Sequence, residues 1–154
     1  MTAPAYVLLH SLLLGPLTWA PVAAALTSRG ATAIVPSLTT VTDPDHPPFW
    51  PRVIAEVGAA VDRLPPGGPV VLVAHSNAGL LVPSLVQASA HPVAGCVFVD
   101  ADLPSGTGSS AASTPGRLAR LRTMATGGRL PRWTEWWDEA EVATHLRTLT
   151  HSWT

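Results

Sequence analysis

One stretch of this chain restricts the fold more than any other. Residues 70–79 read Val-Val-Leu-Val-Ala-His-Ser-Asn-Ala-Gly. Five apolar residues in a row, three of them β-branched, fit a strand buried on both faces, as in the middle of a parallel sheet. Pro65-Pro-Gly-Gly-Pro69 breaks the chain just before it. The strand runs straight into His75 and Ser76, and a helix is expected from about Asn77 to Gln87. Small residues stand two positions away from the serine on each side, Ala74 and Ala78, with Gly79 next. Small flanks of this kind leave room for a close turn between strand and helix. Open α/β sheets bind ligands at the carboxyl ends of their strands. Ser76 is therefore a candidate for chemistry, against the plainer alternative of a helix N-cap.

The rest of the chain repeats the strand-then-helix rhythm. Ala5-Tyr-Val-Leu-Leu9 is a second buried apolar run, followed by a loop of breakers, His10-Ser-Leu-Leu-Leu-Gly-Pro16. Thr18 is expected to cap a helix reaching about Ser28, with Gly30 ending it. Thr32–Val35 is a strand stopped by Pro36. Phe49–Leu64 is a helix whose apolar face carries Trp50, Val53, Ile54, Val57 and Val61 at helical spacing. Gly95-Cys-Val-Phe-Val-Asp100 is the last clear strand, with Cys96 read as a small buried hydrophobe. This order predicts a three-layer α/β/α fold with a mainly parallel sheet of about four strands, joined by right-handed crossovers. Residues 1–104 form the core. Residues 105–154 are a loop and a helical, lid-like segment of the same domain, with a short helix over Arg117–Met124 and another over Trp133–Leu149.

Composition excludes several function classes. The chain has 154 residues, enough for one domain, and a formal net charge of −1, so neither nucleic acid nor an anionic membrane is an expected partner. All nine basic residues are Arg, a bias that points to a GC-rich bacterial genome. One cysteine allows no intrachain disulfide and no thiolate metal cluster. The apolar first 25 residues lack a preceding Lys or Arg and are interrupted by His10, Gly15, Pro16 and Pro21, so they read as strand and helix of a cytoplasmic protein. Pro66-Gly-Gly-Pro69 precedes a strand instead of following one, which argues against a phosphate loop and a nucleotide cofactor. Asp138, Glu139 and Glu141 have no histidine spaced with them as a metal pair. No cofactor and no metal are expected.

The Ala74–Gly79 turn resembles the nucleophile elbow of the α/β-hydrolase superfamily, usually Gly-x-Ser-x-Gly, with Ala standing in both glycine places. The resemblance runs from about Tyr6 to Pro104. Leu8-Leu9-His10-Ser11-Leu12 is similar to the family's oxyanion segment, which often ends His-Gly, with Ser11 in the glycine place. Val97-Phe-Val-Asp100 is similar to the family's next strand. The resemblance implies Ser76 as nucleophile, and the Asn77 and Leu12 N–H groups as oxyanion donors, with Ser11 the alternative to Leu12. It implies Asp100 as a candidate acid, with Asp102 behind it, and a pocket touched by His10, Ser11 and Trp136. His10 and His75 are read as structural histidines. The family usually has two strands before these and two after, with the catalytic histidine last. After Asp100 no further buried strand is found, and His145 is left as the candidate base; His91 precedes the last strand, at the wrong end of the sheet.

Three functions remain open on sequence grounds. The first is a serine hydrolase acting on a small-molecule ester or thioester. The second is a degenerate hydrolase fold that binds an apolar, acyl-like ligand without turnover. The third is an interaction protein whose open sheet edge and Trp residues pair two copies into a homodimer.

Overall fold

The apolar runs become parallel strands: β1 Ala5–Leu9, β2 Ala33–Ile34, β3 Val70–His75 and β4 Val93–Val99. The computed structural model describes residues 2–41, 48–106, 113–132, 135–136 and 140. The sheet order is β2-β1-β3-β4. Leu9 lies beside Ala74, and His75 beside Val99. One residue of β4, Ala94, is passed over where Val70 pairs with Val93 and Val71 with Gly95. Thereafter Cys96 and Phe98 share a face with Leu72 and Ala74, and Val97 and Val99 share the other with Val73 and His75.

Three helices sandwich this sheet, giving the three-layer α/β/α arrangement. α1, Ala20–Thr27, covers one face through Val22, Ala23 and Leu26, which pack with Trp19 on Leu8 and Val73. α2, Phe49–Val61, and α3, Val82–Ala88, cover the other. α2 buries Val53, Val57 and Val61, spaced four residues apart, against Val7, Leu9 and Leu72. Each such side chain stabilises the fold by about 1.5–3 kcal/mol relative to its exposed state.

The helix boundaries depart from expectation where proline intervenes. Thr18 does not cap α1. A 3₁₀ turn over Pro16–Trp19 begins earlier, and α1 starts at Ala20 with no side-chain cap. Pro16 and Pro21 fix φ near the helical value and lack an N–H that would need a cap, so both fit first-turn positions. Likewise the helix expected from Asn77 opens as a 3₁₀ turn, Ser76–Leu81, and becomes α-helical only at Val82. Pro83 cannot donate the bond that would extend the α-helix backwards. β2 is shorter than the four residues expected.

Two compact units are distinguished, Met1–Ser113 and Thr114–Thr154. In the second, α4 runs from Pro115 to Met124, and the Thr114 hydroxyl accepts the Arg117 N–H at 3.3 Å, an N-cap with proline at the first turn. Gly127 and Gly128, both at positive φ, turn the chain so that Thr126 pairs antiparallel with Arg129. Trp136 is half-buried, and its indole N–H donates to the Pro131 carbonyl at 3.0 Å. Trp133, Trp137–Glu139, Glu141, His145 and His151 lie outside the described residues. No helix among the described residues is long and apolar enough to cross a membrane.

Candidate active site

The topology itself marks one corner of the sheet. From β1 the chain crosses to β2 on one side, and from β3 it crosses to β4 on the other. The segments leaving the carboxyl ends of β1 and β3 therefore diverge, and a crevice opens between them. His10-Ser11-Leu12 leaves β1 there, and Ser76-Asn77 leaves β3.

Ser76 has φ +56°, a left-handed conformation that costs a non-glycine residue about 1–2 kcal/mol. The surroundings that hold it explain the small neighbours. Ala74 and Ala78 are fully buried. At Gly79 a Cβ atom would run into the Asp102 carbonyl oxygen and lie 3.1 Å from the Ala101 Cβ. Glycine at this point lets the segment after β4 lie directly on the turn. A hydrogen bond from the Asp102 N–H to the Ser76 carbonyl, 3.1 Å, fixes the contact. Asp100, at the end of β4, is exposed and also has positive φ, +42°. No hydrogen bond joins its carboxylate to a histidine among the described residues.

His10 is wholly buried, and both ring nitrogens are in use. The Leu38 N–H donates to Nε2 at 2.9 Å, so Nε2 carries no proton. Nδ1 therefore holds the hydrogen and donates to the Ser11 carbonyl at 2.8 Å. Burial disfavours the imidazolium and pulls the pKa of His10 below its ordinary value; the Ser11 carbonyl opposes this, and the field of His75 adds to it. The ring ties the loop after β1 to the loop after β2, and with both nitrogens spent it has no basic site for a substrate proton. His10 and Ser11, expected along the pocket, lie beneath the surface: Ser11 is 1% exposed.

Ser11, Leu12, Leu13 and Asn77 form one small network. The Ser11 hydroxyl and the Leu12 N–H both donate to Asn77 Oδ1 at 3.0 Å, and the Leu13 N–H donates to Ser11 Oγ at 3.2 Å. The two expected oxyanion residues are thus brought together, with the Leu12 N–H directed at the Asn77 side chain. The Asn77 N–H opens the 3₁₀ turn, where backbone donors have no partner within the helix.

The other described histidines, His75 and His91, take different places. His75 packs edge-on against Trp19, ring centroids 6.1 Å apart, with its Nδ1 and the Trp19 indole nitrogen both buried and unpartnered. His91 sits at the amino end of the sheet, its Nδ1 bonded to the Gly68 carbonyl at 2.9 Å. A cavity of about 150 Å³ between α2 and α3 is lined by Val57, Val61, Leu72, Leu85 and Ala88, toward that same end and away from Ser76.

The Asn77 network and the Gly79–Asp102 approach were not anticipated from sequence. The one available signal was the pairing of a hydroxyl at position 11 with an amide at position 77.

Known proteins agree with this architecture. The model of an alpha/beta hydrolase family matches residues 6–154, well beyond the Tyr6–Pro104 stretch where the resemblance is visible by eye. A protein from Xanthomonas campestris pv. campestris assigned to the α/β hydrolase superfamily superposes with TM-score 0.51 at 19% identity, over 70% of this chain and 64% of its own. A variant of PytH superposes with TM-score 0.50 at 20% identity, over 85% of this chain and 67% of its own. This chain thus spans just under two thirds of the Xanthomonas protein's length. No curated protein sequence matches it significantly.

Proposed function

Because the chain belongs to the α/β hydrolase family, we propose that it is a serine hydrolase of small-molecule esters or thioesters, with Ser76 as nucleophile. The observation that carries this reading is the left-handed Ser76 at the carboxyl end of β3, beside the His10–Leu12 loop at the divergence of the sheet. Strain of this kind persists only where the surroundings impose it, and such residues cluster at active sites.

In this reading Ser76 Oγ adds to the substrate carbonyl while a histidine takes its proton. The Asn77 and Leu12 N–H groups hold the developing oxyanion. The tetrahedral species collapses, the alcohol or thiol leaves with the proton, and water then releases the acid from the serine ester. Asp100 is the candidate acid that orients the base. His145, outside the described residues, is the candidate base. A second reading, acyl-ligand binding without turnover, draws on the Leu12 N–H being taken up by Asn77.

A fluorophosphonate probe, followed by mass mapping, separates the two. Hydrolase chemistry predicts a phosphonylated Ser76 in the wild-type protein and none in Ser76→Ala. Wild-type protein that stays unlabelled at high probe concentration, while gaining thermal stability from a fatty acid, would favour binding alone.

A further inference from the structure

We propose that the Asn77 carboxamide is a latch on the oxyanion site, closed at rest and opened only by an acceptor stronger than a neutral amide. The inference rests on the hydrolase reading above and adds a gating role that the reading does not contain. Asn77 Oδ1 receives the Leu12 N–H, the donor an oxyanion would need, at 3.0 Å. It also receives the Ser11 hydroxyl at the same distance, and that hydroxyl is held in turn by the Leu13 N–H. Four groups therefore form one closed chain: Leu13 N–H to Ser11 Oγ, Ser11 O–H to Asn77 Oδ1, and Leu12 N–H to the same oxygen. Ser11 stands where the family pattern usually has glycine, so the second donor to Asn77 is peculiar to the side chain at this position. Ser11 is 1% exposed, so water does not offer its hydroxyl an easy alternative partner.

The chemistry of exchange follows from acceptor strength. A substrate carbonyl in the ground state is a neutral acceptor, like Asn77 Oδ1, and gains little by displacing it. An oxyanion makes charge-assisted bonds roughly twice as strong and displaces the amide. The latch thus discriminates by charge development at the carbonyl oxygen, and it slows any reaction that must open it. Anionic or strongly polarised acceptors, such as the phosphonyl oxygen of an organophosphonate, are the groups it admits.

The test combines labelling kinetics with amide exchange of Leu12. Asn77→Ala removes the acceptor and keeps the backbone N–H. The latch predicts a second-order rate of Ser76 phosphonylation raised about fivefold, the worth of one net hydrogen bond. Ser11→Gly removes one of the two donors and predicts a smaller increase, with none further when added to Asn77→Ala. Asn77→Asp keeps the shape but places a carboxylate on the same donors, and predicts a fall of about a hundredfold at neutral pH. In Asn77→Ala the Leu12 amide must also exchange faster, whether or not the protein labels. An unchanged Leu12 exchange rate, or labelling slower in Asn77→Ala than in wild type, overturns the latch. Absence of any labelling in wild type with faster Leu12 exchange in Asn77→Ala overturns the hydrolase reading and leaves the closed network established.

Discussion

The corner where β1 and β3 end and the outer strand β4 use the same residue types under opposite conditions. Leu8, Leu9, Val73 and Ala74 are buried, whereas Val97, Phe98 and Val99 are 45%, 37% and 39% exposed. Val73 and Val97 are register partners on the same face. What separates them is not hydropathy but neighbours: β3 has a strand on each side and helices on both faces, and among the described residues β4 is paired on one side only. An apolar run therefore reports strand formation, while burial is decided by what the rest of the chain places on it. The candidate site stands in the buried corner, where strain at Ser76 can be held.

The strongest way to break this contrast is at Gly79. A Cβ there collides with the Asp102 carbonyl oxygen, a backbone atom, so the segment after β4 must shift. Gly79→Val should cost about 3 kcal/mol or more and should release the segment after β4 from the Ser76 carbonyl. Urea unfolding measures the first effect. If the variant is as stable as wild type, the close approach is not what holds the turn.

A matched pair of substitutions sharpens it. Val73→Ala removes two buried methyl groups and should cost about 2–3 kcal/mol, from transfer plus residual cavity. Val97→Ala makes the same chemical change one strand away and should stay within about 0.5 kcal/mol. Equal losses in the two variants, read as shifts in the urea midpoint at constant slope, would mean that β4 is covered in solution.

Much of the corner was legible in the sequence. Val70–Ala74 announced a central strand, and the small residues around Ser76 announced a close turn, because strain and close approach both require small side chains. The parallel order followed from alternation of strand and helix. Thr18 misled because proline can open a helix without any cap, so an available Thr was not needed. Cys96 misled for a different reason. Gly95–Val99 has the composition of a central strand, and nothing within it records that no strand pairs with its outer edge among the described residues. The Asn77 network was not legible because Ser11 and Asn77 are 66 residues apart, and only the register of β1 against β3 brings them together.

His10 gives the corner a pH signature on the acid side. Its pKa is lowered in the folded protein, since burial disfavours the imidazolium by more than the Ser11 carbonyl favours it, with the field of His75 adding to the fall. The unfolded chain takes up a proton near pH 6.5, and the folded one only at lower pH. The contribution is therefore complete above about pH 6.5 and is lost as pH falls from there through the folded value, with a slope of at most about 1.4 kcal/mol per pH unit. His10→Gln can still accept and donate but does not titrate, so its stability should fall less steeply over that window. Parallel pH profiles for the two proteins would remove His10 as the source.

The smallest expected effect tests β4 directly. Cys96 is exposed on this strand, facing the same way as Phe98. Partial desolvation still pushes its thiol above the ordinary value, so the thiolate is scarce at neutral pH. Because Cys96 is exposed, a maleimide should modify it in the native protein without denaturant, more slowly at neutral pH than a free thiol and with a rate that keeps climbing to higher pH. Cys96→Ser should leave stability within about 0.5 kcal/mol of wild type, because little packing is lost at an exposed site. Reaction only in urea, together with a larger loss in Cys96→Ser, would show that something covers β4 in solution. The contrast with the corner would then be one of arrangement along the chain and not of burial, and the apolar character of Val97–Val99 would be explained by that cover.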